Sequence, residues 1–194
     1  MLVVYSHPSL HSWLRFYRLD STIYVLFGLV GGIMFVGPLV IWFVRRRRLA
    51  SFAQSIGWEC SNRVLGSASL PGLVTGIVYS LAKAALAGHG YQDESVEAIL
   101  AFSLLSGLVQ PALEEIYFRG ILFVSLARRC EDISSIAAVT LLFCVSHPEH
   151  WLTVLPVAIL LGGMRLYTHS VKACFACHAA HNLFLVLFML PIGK

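Results

Sequence analysis

Apolar residues fill this chain in blocks long enough to cross a bilayer, and short polar stretches separate the blocks. The first clear block is TIYVLFGLVGGIMFVGPLVIWFV, from Thr22 to Val44. A second, weaker span is expected over about Leu70 to Ala87, with Lys83 near its end placed to snorkel. From Val96 to Arg129 runs a long, mostly apolar segment that Pro111 is expected to kink or split. Polar RRCEDISS follows, where Asp132 or Ser134 is expected to cap a helix from about Ser134 to His147, stopped by Pro148. Trp151 to Tyr167 and Val171 to Leu190 complete the set of spans. Ahead of them, SLHSWLRFYRL sets Leu10, Trp13, Leu14 and Tyr17 on one helical face with Arg15 and Arg18 off it. That pattern suits a helix lying in the headgroup region, with a plain cytoplasmic or periplasmic tail as the alternative reading.

Composition agrees with the pattern. Only 12% of the 194 residues are charged and 58% are hydrophobic, against roughly 25% charged in soluble domains. The expectation is an all-α, multi-pass transmembrane bundle of about six helices, an integral membrane protein with a polar intramembrane site. Residues 1–95 would hold the interfacial segment and two membrane helices, and residues 96–194 the helices that carry the polar site. The net charge of +4 comes largely from RRRR, Arg45 to Arg48. Directly after an apolar block this reads as a cytoplasmic flank rather than a phosphate clamp, so no nucleic-acid partner is expected.

Lys and Arg alternate between connections: five in residues 45–67, none in 88–95, two in 128–133, none in 148–150 and one in 168–172. Arg165 lies just before the last of these. The alternation places the basic loops in the cytoplasm and both termini outside. Five cysteines, an odd number lying mostly in apolar runs, argue against a disulfide framework. Gly162 and Gly163 are small residues that permit close helix approach.

Against this background the polar residues inside the apolar blocks stand out, because ionisable groups at membrane depth are costly unless paired or functional. They are Glu114, Glu115, Arg119, His147, His178, His181 and Asn182. Counting about 1.5 Å per residue from the basic flanks puts them at depths within roughly one or two turns of each other. Glu115 and Arg119 are an i, i+4 pair with the acid first, the favourable orientation, and can neutralise each other. Glu114 points about 100° away without a cation, the position of a general base. His178 and Asn182 are also i, i+4 and share a face, where both can donate to a developing oxyanion. His147, at the end of its helix, is placed to share a water molecule with Glu114.

The order EEIYFR, FCVSH, HAAHN resembles the three motifs EExxxR, FxxxH and HxxxN of the CAAX protease and bacteriocin-processing family, called CPBP or Abi. The resemblance covers Glu114 to Asn182 and leaves the first 95 residues unmatched. It implies a glutamate-dependent intramembrane endopeptidase, with Glu114 and His147 activating water and His178 and Asn182 forming the oxyanion hole. Glu115, Arg119 and Phe143 would support the site or contact substrate. No cofactor and no metal are implied. The partners would be the lipid bilayer and a membrane-associated protein or peptide precursor, in a bacterial cytoplasmic membrane.

Three other readings stand beside this one. CFACH, Cys174 to His178, fits the CxxCH pattern of covalent haem, but it opens an apolar helix on the predicted cytoplasmic half. Glu114, His147 and His178 offer two imidazoles and a carboxylate, the donor set of a zinc protease, although HExxH is lacking. A non-catalytic immunity or adaptor protein could use the same scaffold.

Overall fold

A computed structural model describes residues 30, 34, 37–43, 52–87, 103–147 and 151–188, with side chains described to residue 185 except those of 83–87. The interfacial segment, the arginine run and most of the first apolar block lie outside these residues. All regular structure among the described residues is helical. Besides the helical residues 37–43 there are α1 (Phe52–Ile56), α2 (Asn62–Ala87), α3 (residues 103–126), α4 (Asp132–Val145), α5 (Trp151–Thr168) and α6 (Val171–Phe188). Two helices, α2 over Asn62–Ala82 and α5, are long and apolar enough to cross a membrane, and α4 is a shorter apolar helix.

α2 starts eight residues before the expected Leu70, because Ser61 accepts the Val64 amide at 3.3 Å as an N-cap and the helix runs on through Pro71. Beyond the proline, Gly72 and Gly76 form a GxxxG step against α6. A Cβ on Gly72 would lie 1.9 Å from the Cys177 carbonyl oxygen, and one on Gly76 3.0 Å from that of His181. Only glycine lets the two backbones meet this closely. Gly72→Val is therefore expected to destabilise the protein by about 1–3 kcal/mol or more, since backbone rather than a side-chain tip must yield. Gly66→Ala on the same helix meets nothing within 4 Å. It should be neutral or gain up to ~1 kcal/mol of helix propensity. Monodisperse protein surviving a heating series in detergent measures both.

α3 is not broken by Pro111. Its turns Leu105–Val109 and Ile116–Leu122 are π-helical, and the α-helical stretch Gln110–Glu115 lies between them. Proline clashes with an α-helical carbonyl four residues back, and the wider π-turn relieves that clash. α4 begins at Asp132 after an extended Glu131, which makes no side-chain capping bond. Asp132 and Ser134 thus sit inside the first turn rather than at the cap, where Asp132 complements the helix dipole. Of the two glycines singled out on α5, Gly162 does admit α4, with Ile136 at 3.1 Å and Thr140 Oγ1 at 3.2 Å from a notional Cβ. Gly163 meets nothing.

Arg165 is a correction. It is buried, not a basic flank. Its Nε donates to the Arg119 carbonyl at 3.0 Å, its Nη2 to the Ile56 carbonyl at 3.3 Å, and its guanidinium stacks 5.0 Å from the Phe123 ring. The five-residue α1 ends with carbonyls that need donors, and a five-donor fork meets that need across two helices. Beside it Gly57, at φ 75°, gives its carbonyl to the Val171 amide at 2.7 Å and closes the start of α6 onto α1.

Candidate active site

Three helices, α4, α5 and α6, converge on the middle of α3. Glu115 and Arg119 are fully buried and joined by Arg119 Nη1 to Glu115 Oε1 at 3.1 Å. Arg119 also donates through Nη2 to the Ala158 carbonyl of α5 at 3.4 Å and lies 4.3 Å from the centre of the Phe143 ring. The pair thus ties α3 to α4 and α5. From α6, His178 Nδ1 reaches the same Glu115 Oε1 at 2.9 Å. A carboxylate accepts, so Nδ1 carries a hydrogen and the other nitrogen, Nε2, is turned toward Glu114.

Glu114 is only 13% exposed, and its Oε1 accepts from Gln110 Nε2 at 2.9 Å. Two imidazoles flank its carboxylate: His147 Nε2 is 3.9 Å from Oε1 and His178 Nε2 is 3.9 Å from Oε2. Both distances are too long for direct hydrogen bonds. His147 lies just beyond the last turn of α4. Its Nδ1 is 2.9 Å from the Phe143 carbonyl and 3.2 Å from Ser146 Oγ. Because a carbonyl can only accept, a hydrogen sits on Nδ1 and Nε2 faces Glu114, an acceptor when the imidazole is neutral. Phe143 forms the floor, its ring 4.8 Å from His147 and 5.9 Å edge-on to His178.

Of the residues expected to meet, Glu114, Glu115, Arg119, Phe143, His147 and His178 share this cluster. Asn182 sits one turn beyond His178, where its Nδ2 donates to the Ser106 carbonyl at 3.0 Å. The π-register explains that bond. Gln110 donates five residues back, to Leu105. The next donor in that register is Pro111, which has no N–H, and Ser106 is the carbonyl it would have met. Asn182 supplies the hydrogen and keeps a second one on the same nitrogen. Pro111→Ala returns an amide to the helix and is expected to loosen the Asn182 side chain from Ser106 without loss of folded protein. Thermal survival in detergent, unchanged within about 1 kcal/mol, would check that the fold is kept.

His181 is not part of the cluster. Its Nδ1 pairs with Thr75 Oγ1 at 3.0 Å, and its ring meets Tyr79 edge-on at 6.2 Å, so it joins α6 to α2. Gln110 and Pro111 are the contributors that sequence reasoning passed over. Gln110 to Glu114 is an i, i+4 hydrogen-bonding pair and was open to detection. The five cysteines are all free thiols. Among the described residues, no three His, Cys, Asp or Glu side chains gather in a metal-holding group.

Fold and site together define a helical protein with a buried carboxylate–imidazole centre built on three consecutive motifs. Residues 96–184, a little under half of the chain, match the family model described as type II CAAX prenyl endopeptidase Rce1-like. Over that stretch the chain is similar to the Rce1-like proteins of the CPBP family, a membrane-embedded protease family. No curated protein and no solved structure matches it.

Proposed function

We propose that this protein is a multi-pass intramembrane endopeptidase of glutamic type, hydrolysing a peptide bond in a membrane-associated protein or peptide precursor in a bacterial cytoplasmic membrane. One observation carries the reading: the Glu114 carboxylate faces the Nε2 atoms of His147 and His178 at 3.9 Å each. A water between Glu114 Oε1 and His147 Nε2 would give a hydrogen to each, since both are acceptors, and turn its lone pairs to a scissile carbonyl. Glu114 takes the proton as the water oxygen bonds to the carbonyl carbon. The same proton then passes to the leaving amine, so atoms and charge balance without a covalent enzyme intermediate.

Two groups are available to the oxyanion. Asn182 keeps one amide hydrogen after its bond to Ser106. His178, with its Nδ1 hydrogen directed at Glu115, donates through Nε2 only as imidazolium. In that form Glu114, Glu115, Arg119 and His178 sum to zero charge, which lessens the cost of holding them in an apolar bundle. Asn182→Ala is expected to lower turnover by about 10²–10³-fold, the usual loss for one oxyanion donor. Single-turnover cleavage of a fluorogenic membrane peptide would measure it.

The deciding experiment compares protein termini in the native host between wild type and Glu114→Gln, with membrane levels of both matched by immunoblot. Cleaved termini that vanish while precursor accumulates establish the protease and name its substrate. Unchanged termini with a surviving host phenotype would leave the non-catalytic immunity or adaptor reading in front. Metal content of the purified active protein tests the zinc reading.

A further inference from the structure

The far end of α3, about 16 Å along the helix from the catalytic carboxylates at 1.5 Å per residue, borders a cavity of about 480 Å³. It lies between the helical residues 37–43 and the last turn of α3. Trp42, Phe43, Leu122 and Leu126 give it apolar walls, and Arg128 and Arg129 line it with cationic groups. Ser125 spends its hydroxyl hydrogen on the Ile121 carbonyl at 2.7 Å, so the guanidinium groups are the charged donors the cavity offers. Neither arginine forms an ion pair with a carboxylate among the described residues, although Glu131 and Asp132 follow closely in sequence.

Arg128 and Arg129 are exposed, as basic flanks at a membrane surface are. Here, with no carboxylate partner among the described residues, they border the same cavity as the apolar walls, at the point where an apolar helix gives way to polar RRCED. A ligand that satisfies both must carry a phosphate-like anion and a hydrocarbon portion joined to it. A small free anion would meet the arginines and leave the Trp42 and Leu122 walls wet. We propose that this cavity binds one anionic phospholipid, its phosphate between Arg128 and Arg129 and its proximal acyl carbons against Trp42, Phe43, Leu122 and Leu126. Such basic pockets at the edge of helical bundles are where anionic headgroups are held. The site is separate from the catalytic cluster and stands whether or not the protein is a protease.

Trp42 makes the site measurable. The full chain is placed in phosphatidylcholine nanodiscs, and acyl-brominated phosphatidylglycerol or acyl-brominated phosphatidylcholine is titrated in. Quenching of Trp42 is read as the difference between wild type and Trp42→Phe. Half-quenching is expected at a roughly tenfold lower mole fraction of the glycerol lipid, as two basic contacts imply. R128Q/R129Q should erase that preference, and R128K/R129K should keep most of it. Millimolar inorganic phosphate should not relieve the quenching. Identical curves for the two lipids, or for wild type and R128Q/R129Q, overturn the proposal, because a diffuse attraction from the remaining arginines would survive the substitution. Relief by inorganic phosphate overturns it in favour of a site for soluble phosphate.

Discussion

Glu114→Gln is expected to lower cleavage by about 10²–10⁴-fold, the contribution of a positioned general base, while the amount of folded protein stays at the wild-type level. The substitution keeps the shape of the side chain. Its amide oxygen still accepts from Gln110 Nε2, which holds Glu114 Oε1 at 2.9 Å, so the helix has no reason to reorganise. What is lost is the ability to take a proton. His147→Ala should cost a similar factor, because His147 Nε2 stands across the same 3.9 Å gap and serves the same water. Since the two act as a unit, the double variant should be little worse than either alone. Single-turnover cleavage on membrane-matched protein decides this. A double variant whose loss is the product of the two single losses would mean that Glu114 and His147 do not share one nucleophile.

Arg119→Ala is expected to remove the folded protein, by about 3–5 kcal/mol, the cost of stripping the partner from a buried charge. Glu115 would keep only its contact with His178 Nδ1 at 2.9 Å, in a place with no solvent access. The Ala158 carbonyl would lose its donor and the Phe143 ring its stacked cation. The companion variant Glu115→Leu/Arg119→Met removes both charges and replaces them with apolar volume. Buried pairs replaced in this way often cost little stability. That protein should fold and still fail to cleave, because His178 has lost the acceptor that orients its ring. Thermal survival in detergent and cleavage rate, read side by side, separate the two roles. An Arg119→Ala protein as stable as wild type would show that the pair does not hold α3 to α5.

Much of the candidate site was open to reading in the chain itself. Acid, arginine, histidine and asparagine inside apolar blocks are costly unless paired or functional, and spacing in steps of four showed which of them share a helical face. Glu115 with Arg119 is such a step, and the structure gives them a 3.1 Å bond. The same logic set Glu114 apart from that pair. Gly72 and Gly76 were equally visible as GxxxG but had no meaning until α6 was seen against them. Arg165 was misread because charge counting places every arginine near a helix end in water. It has no way to register the carbonyls of Ile56 and Arg119 waiting inside.

The sequence by itself determined the helical class, the apolar blocks and the faces on which the reactive groups lie, because helix geometry turns each residue by a fixed angle of about 100°. Only the tertiary structure decided which groups meet. Asn182 reaches Ser106 across 76 residues, and Arg165 reaches Arg119 across 46. It also decided that Pro111 is absorbed by a π-turn instead of breaking α3. A hydrogen bond is made or lost within a few tenths of an ångström. The turn of one helix carries direction but not distance, and distance is set when the helices pack.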